Sequence, residues 1–136
     1  MLILDLDLSA LSGPYTSEPV LGLGGFYAAF TRCQYAQVGG TSCTVSIETS
    51  VDEGLTWIDM VRYVMASTGD YAAARFGSTS INAPVLYAPL ADNTVRSFFA
   101  GDRIRAVITP AGAFTAGARL IVDYFPQYRG RNGLYL

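Results

Sequence analysis

At 136 residues, 51% hydrophobic and only 15% charged, the chain is long enough to bury a core and unusually apolar for its size. A net charge of −2 gives no general reason to expect nucleic-acid binding. Histidine is absent, which excludes a Ser-His-Asp or Cys-His apparatus and any His-ligated metal site.

Met1 to Asp7 lacks a basic leader, and aspartates break its apolar run, so neither a signal peptide nor a membrane span is expected. Leu4, Leu6 and Leu8 alternate with Asp5 and Asp7, the pattern of a strand with one wet face. Residues 9–25 are rich in Ser, Gly and Pro and read as an arm or connector. Residues 26–38 and 42–50 flank Gly39-Gly40 and predict a hairpin. In that register Cys33 lies opposite Ser46 and Cys43 opposite Ala36, so two free thiols in a reducing compartment are expected.

Leu55 to Met65 predicts the next strand, with Trp57, Val61, Tyr63 and Met65 on one face and Asp59 as its polar exception. Tyr71 to Phe76 is a further strand candidate, although its three alanines also tolerate helix. Residues 77–93 read as a loop, with a short strand at Val85-Leu86-Tyr87. Asn93 to Phe99 fits one helical turn capped by Asp92 or Asn93. From Asp102 to Thr109, Ile104, Ala106 and Ile108 point one way and Arg103, Arg105 and Val107 the other. Ala118 to Phe125 carries apolar residues on both faces, as a strand covered on both sides would. Short strands with turns between them predict a single all-β domain, a sandwich of about seven or eight strands, either jelly-roll or immunoglobulin-like. The expected division is an N-terminal strand and arm at 1–25, a sandwich at 26–126 and a C-terminal extension at 127–136.

The most specific stretch is Ser50-Val51-Asp52-Glu53-Gly54-Leu55-Thr56-Trp57, an Asp-box of the form S-x-D-x-G-x-T-W. Asp52 can accept hydrogen bonds from the turn it opens, and Gly54 can take a positive φ. Ser50 and Thr56 can tie the strands together. Trp57 can cover the turn as an apolar lid, its removal costing about 3–5 kcal/mol if the ring is buried. The motif occurs once, which argues against a propeller of repeated blades.

Chemistry is sparse. Glu48, Asp52, Glu53 and Asp59 are the acidic candidates, but a glycosidase needs two carboxyls facing a sugar across a cleft. Two of these sit in a hairpin tip, and Glu48 and Asp59 read as exposed strand residues. Leu21 to Gly25 lacks the spacing of a phosphate loop. Asp92, Asn93 and Asp102 form no dense calcium loop. No catalytic residue, metal or cofactor is expected. Tyr128, Arg129, Arg131, Tyr135 and Leu136 instead suit a segment that docks on a protein neighbour, since Arg and Tyr are favoured at interfaces.

The Asp-box, then Leu90-Ala91-Asp92-Asn93-Thr94-Val95-Arg96, then Gly101-Asp102-Arg103-Ile104-Arg105, follow one another in an order that resembles small β-sandwich virion proteins of tailed bacteriophages. Those proteins carry an S-x-D-G-G-x-T-W hairpin, an L-x-D-x-x-x-R segment and a G-D-R-hydrophobic-R strand. Here Glu53 replaces the first glycine, and the first 49 residues lie outside the resemblance. The resemblance implies a non-enzymatic structural component of the virion, on head, neck or tail alike. Composition fits a capsid decoration (cement) protein that binds the major capsid protein and copies of itself as a homo-oligomer, with no membrane or nucleic-acid partner. The decoration reading places it on the capsid surface after synthesis in the bacterial cytoplasm. The alternatives are a neck or tail component, and a carbohydrate-binding module in which an aromatic such as Trp57 or Tyr63 stacks on sugar.

Overall fold

Period-2 alternation decides which side chains enter the core, and where that alternation breaks, the fold departs from the sequence pattern. The computed structural model describes residues 2–21, 26–76, 89–96 and 103–128. The strands among them are β1 (Leu2–Asp7), β2 (Tyr15–Thr16), β3 (Phe26–Ala36), β4 (Ser42–Ser50), β5 (Ile58–Met65), β6 (Gly69–Phe76), β7 (Thr94–Val95), β8 (Arg103–Ala111) and β9 (Arg119–Tyr128). One antiparallel sheet has the order β1-β9-β3-β6 and the other β2-β8-β4-β5-β7.

The pairing is nested. β4 pairs with β5, β3 with β6, β2 with β8, and β1 with β9. A long hairpin folded over on itself gives this order, which is that of a jelly roll; an immunoglobulin-like sandwich would group its strands as ABED and CFG. Two-residue β7 is added outside β5.

The core lies between the sheets. Val45, Ile47, Val61, Ile104 and Ile108 enter it from one side, and Cys33, Leu120, Val122 and Tyr124 from the other. Each buried aliphatic or aromatic side chain stabilises the fold by roughly 1.5–3 kcal/mol. Polar bonds at Tyr63 join the two layers: its hydroxyl on β5 bonds Thr31 Oγ1 and donates to the Thr31 carbonyl oxygen on β3, at 3.1 Å for the latter. Both residues are buried.

Several expectations change. β3 and β4 are not a hairpin. Gly39 and Gly40, both at positive φ, carry the chain from one sheet to the other. A Cβ on Gly40 would stand 2.6 Å from the Phe114 ring, so the crossing is closed tightly against the β8–β9 loop. Cys33 therefore lies between Tyr71 and Val122, and Cys43 between Met65 and Pro110. Both thiols are free, as expected but for a different reason, and both are buried. Burial, with Cys43 and Asp123 adding to it, pushes the Cys33 thiol far up, and burial pushes Cys43 up to about 12.

The N-terminal stretch is more than a connector. β1 is an edge strand on β9, β2 pairs with β8, Val20 bridges Ile104, and Leu8 and Ser17 are buried. Residues 69–76 form strand rather than helix because they pair along β3. The expected helical turn at 93–99 is replaced by β7 at its start: Asn93, at φ 56°, accepts the Val64 N–H at 2.9 Å instead of capping a helix. β9 is the inner neighbour of both β1 and β3, yet it is not covered on both faces: Ile121 is half-buried and Phe125 is exposed. β9 also continues two residues past the expected boundary at 126. The strand expected at 85–87 lies outside the described residues.

Candidate functional site

The Asp-box forms the connection between β4 and β5, the innermost turn of the nested hairpin. Its fixed residues bond to one another. Ser50 Oγ accepts from Gly54 N at 2.8 Å and donates to Asp52 Oδ1 at 2.9 Å. Asp52 Oδ1 also accepts the Thr56 N–H at 2.8 Å, and the Thr56 hydroxyl donates to Asp52 Oδ2. Trp57 Nε1 donates to the Gly54 carbonyl at 3.2 Å. Glu53 and Gly54 both have positive φ, 61° and 88°, the pair of left-handed residues that matches the twist of the flanking strands. The Thr56 donors hold the Asp52 carboxyl below its usual range, with a smaller contribution from Ser50.

Trp57 is not where alternation puts it. Ile47 pairs with Val61 while Glu48 pairs with Asp59, so Met60 is an extra residue, a β-bulge. Val61, Tyr63 and Met65 enter the core, but Asp59 and Trp57 fall on the outer face of the sheet. There Arg105 lies with its guanidinium 4.1 Å from the centre of the Trp57 ring. Trp57 is half-buried, covered by an arginine rather than by the core.

Around this stack the three motif stretches converge. Arg105 Nε donates to Glu48 Oε2 at 2.6 Å, with both side chains mostly buried. Arg103 Nη1 lies 3.5 Å from the position a Cβ on Gly54 would take. Leu90 N donates to Asp59 Oδ2 at 3.1 Å and Arg96 Nε to the Asp59 carbonyl at 2.9 Å. Glu48 and Asp59 are thus half-buried members of a network, not the exposed residues expected. Burial pushes the Glu48 carboxyl up; Arg105 opposes this and the facing Asp59 reinforces it. Glu48 and Asp59 are cross-strand neighbours whose carboxyls share a hydrogen bond.

Alternation alone could not have found this network, because it depends on the bulge; the one available signal was that Asp59 broke an otherwise apolar face. Among the described residues no group of three Cys, Asp or Glu side chains could hold a metal ion. Asp92 pairs with Arg62 at 3.1 Å. Of the expected interface residues, Tyr128 ends β9 opposite Phe26, while Arg129, Arg131, Tyr135 and Leu136 lie outside the described residues.

What fold and site define together is a jelly-roll sandwich whose Asp-box closes one hairpin and anchors a charged network on the outer face of one sheet. No family model, no curated protein and no solved structure matches the chain.

Proposed function

We propose that the chain is a structural virion protein of a tailed bacteriophage, a decoration protein that binds the major capsid shell and stiffens it by bridging subunits. One observation carries this reading. Arg105 of the third stretch stacks on Trp57 of the Asp-box and bonds Glu48, while Leu90 and Arg96 of the second stretch bond Asp59, so the three stretches are tied together through two strand residues that flank the Asp-box. A cluster whose polar groups are spent on one another suits rigidity better than turnover. The jelly roll agrees with this, being an architecture that recurs in viral capsid proteins, although lectins and cupins share it.

As a sugar platform Trp57 is compromised, because Arg105 occupies one face of its ring and Gly54 holds its N–H. The decoration reading leaves the contact surfaces at the edges and ends of the sandwich, including the segment beyond Tyr128.

Quantifying the protein in purified virions tests the proposal. Decoration requires copies on the order of the capsid subunits themselves, whereas a small ring-like number per particle means a neck or tail component. Absence from the particle defeats the virion reading altogether. Glycan-array binding that is lost on Trp57→Ala would favour the carbohydrate-binding alternative instead.

A further inference from the structure

The motif's fixed residues spend their polar groups on one another, so its variable residues are what the hairpin has left to offer a partner. Leu55 is 84% exposed, the most exposed large hydrophobic side chain among the described residues, and Val51 is 51% exposed. Glu53 stands between them in sequence, exposed and held at positive φ. Isolated exposed leucines are ordinary. Two apolar side chains, Val51 and Leu55, on one hydrogen-bonded tip are less so, because the internal bonds of the turn hold them outward.

The register shows what else lies at this pole. Ser50 pairs with Arg103, whose neighbour Ile104 bridges Val20, so Leu21, 61% exposed, lies close by. β3 descends from Phe26 to the Gly39-Gly40 crossing and β4 climbs back to Ser50, which places Phe26 at the hairpin pole too. Tyr128 pairs with Phe26, so β9 leaves the sandwich at this same pole. The opposite pole is tied backbone to backbone, by Gly40 to Ala113, Thr41 to Ala111 and Thr115 to Val38.

We propose that the Asp-box tip, through Val51, Glu53 and Leu55, is the docking site for residues 129–136 of a second copy of this chain. The chemistry is complementary. Residues 50–57 carry Asp52 and Glu53 and no basic residue; residues 129–136 carry Arg129 and Arg131, no acidic residue, and the apolar run Leu134-Tyr135-Leu136. Eight residues extended reach about 28 Å, enough to cross between facing molecules. β9 ends at this pole in one sheet and the hairpin stands at it in the other, so both lie on the end face that a second copy would meet. Two poles face to face set each tip before the other's outgoing segment, a self-complementary exchange. The inference rests on reading the C-terminal segment as a contact arm, and it needs no capsid, so its failure and that of the virion proposal are separable.

Sedimentation velocity across a concentration series tests it on the full chain. The wild type dimerises, and Leu55→Asp and the double variant Leu134→Asp/Leu136→Asp each weaken the dimer by about 30-fold or more. An equimolar mixture of those two variants recovers a heterodimer through one intact tip–segment contact. Glu53→Arg weakens association roughly tenfold, and combining it with Arg129→Glu/Arg131→Glu restores it. Circular dichroism of each variant confirms that the sandwich is retained. A wild type that stays monomeric at every concentration, including one in which the segment covers its own tip, overturns the proposal. So does a dimer indifferent to both sets of substitutions, or a mixture that forms no heterodimer.

Discussion

Arg105 holds two partners at once: its guanidinium lies 4.1 Å from the Trp57 ring centre, while its Nε donates to Glu48 at 2.6 Å. The arginine thereby couples the Asp-box hairpin on β4–β5 to strand β8. It also supplies the counter-charge that a mostly buried carboxylate requires.

Removing that counter-charge should be costly and pH-dependent. Arg105→Ala is expected to destabilise by about 2–3 kcal/mol at neutral pH, because Glu48 is left charged without its partner. Burial raises the folded-state pKa of Glu48 above its ordinary value of 4.5. The stability linked to this shift is fully present below the unfolded pKa and is lost as pH rises through the folded one. Glu48→Gln should remove that slope, and the Arg105→Ala penalty should shrink in acid. Urea unfolding at several pH values measures both; a penalty as large at pH 3 as at pH 7 would contradict the assignment.

Trp57→Ala should cost roughly 2 kcal/mol, less than the loss of a core tryptophan, since its partners are Arg105 and the turn rather than the interior. Thermal denaturation showing a loss of 4 kcal/mol or more would return Trp57 to the core.

Tyr63→Phe removes the hydroxyl that bridges the two sheets and leaves Thr31 unsatisfied in the interior. A loss of about 1–2 kcal/mol is expected in equilibrium unfolding, with the fold unchanged by circular dichroism. A neutral substitution would mean that the layers are held by apolar packing alone.

Glu53 occupies a left-handed position at φ 61°, where a side chain is strained and glycine is not. Glu53→Gly should therefore stabilise the chain by about 0.5–1 kcal/mol in urea titrations, strain relief outweighing the extra freedom of the unfolded glycine.

The two thiols offer a check on the core. Cys33 and Cys43 are buried with raised pKa values, so neither should react with a maleimide at pH 8 in the native protein. Both should react in concentrated urea, as counted by mass spectrometry. Rapid native labelling of either would show that the core is not packed as described.

Much of the architecture was legible in the sequence because it is locally encoded. Ile104, Ala106 and Ile108 alternate with Arg103, Arg105 and Val107, and the structure keeps that division. The Asp-box turn was legible too, since its bonds run between residues no more than four apart. What escaped depends on distant pairing. Gly39-Gly40 permits either a hairpin or a crossing between sheets, and only the partners of Cys33 and Cys43 decide which. The bulge at Met60 leaves no mark on composition, yet one extra residue sends Trp57 and Asp59 to the other face and assembles the charged network. Asn93 carries the signature of a helix cap but spends its side chain on the Val64 N–H.

The nesting of the strands also imposes an order in time. The innermost pair, β4 with β5, closes only residues 51–57, whereas β1 with β9 must close residues 8–118. Chain statistics make the outer closure about 2 kcal/mol dearer in entropy if attempted first. Assembly should therefore begin at the Asp-box turn and spread outward, with β1 docking last, on a slow schedule typical of long-range β pairing. Transition-state φ-values should then be highest in the 44–64 region and near zero in β1; the reverse gradient would overturn this order. The Asp-box turn would thus act earliest, as the seed from which the rest of the sandwich grows.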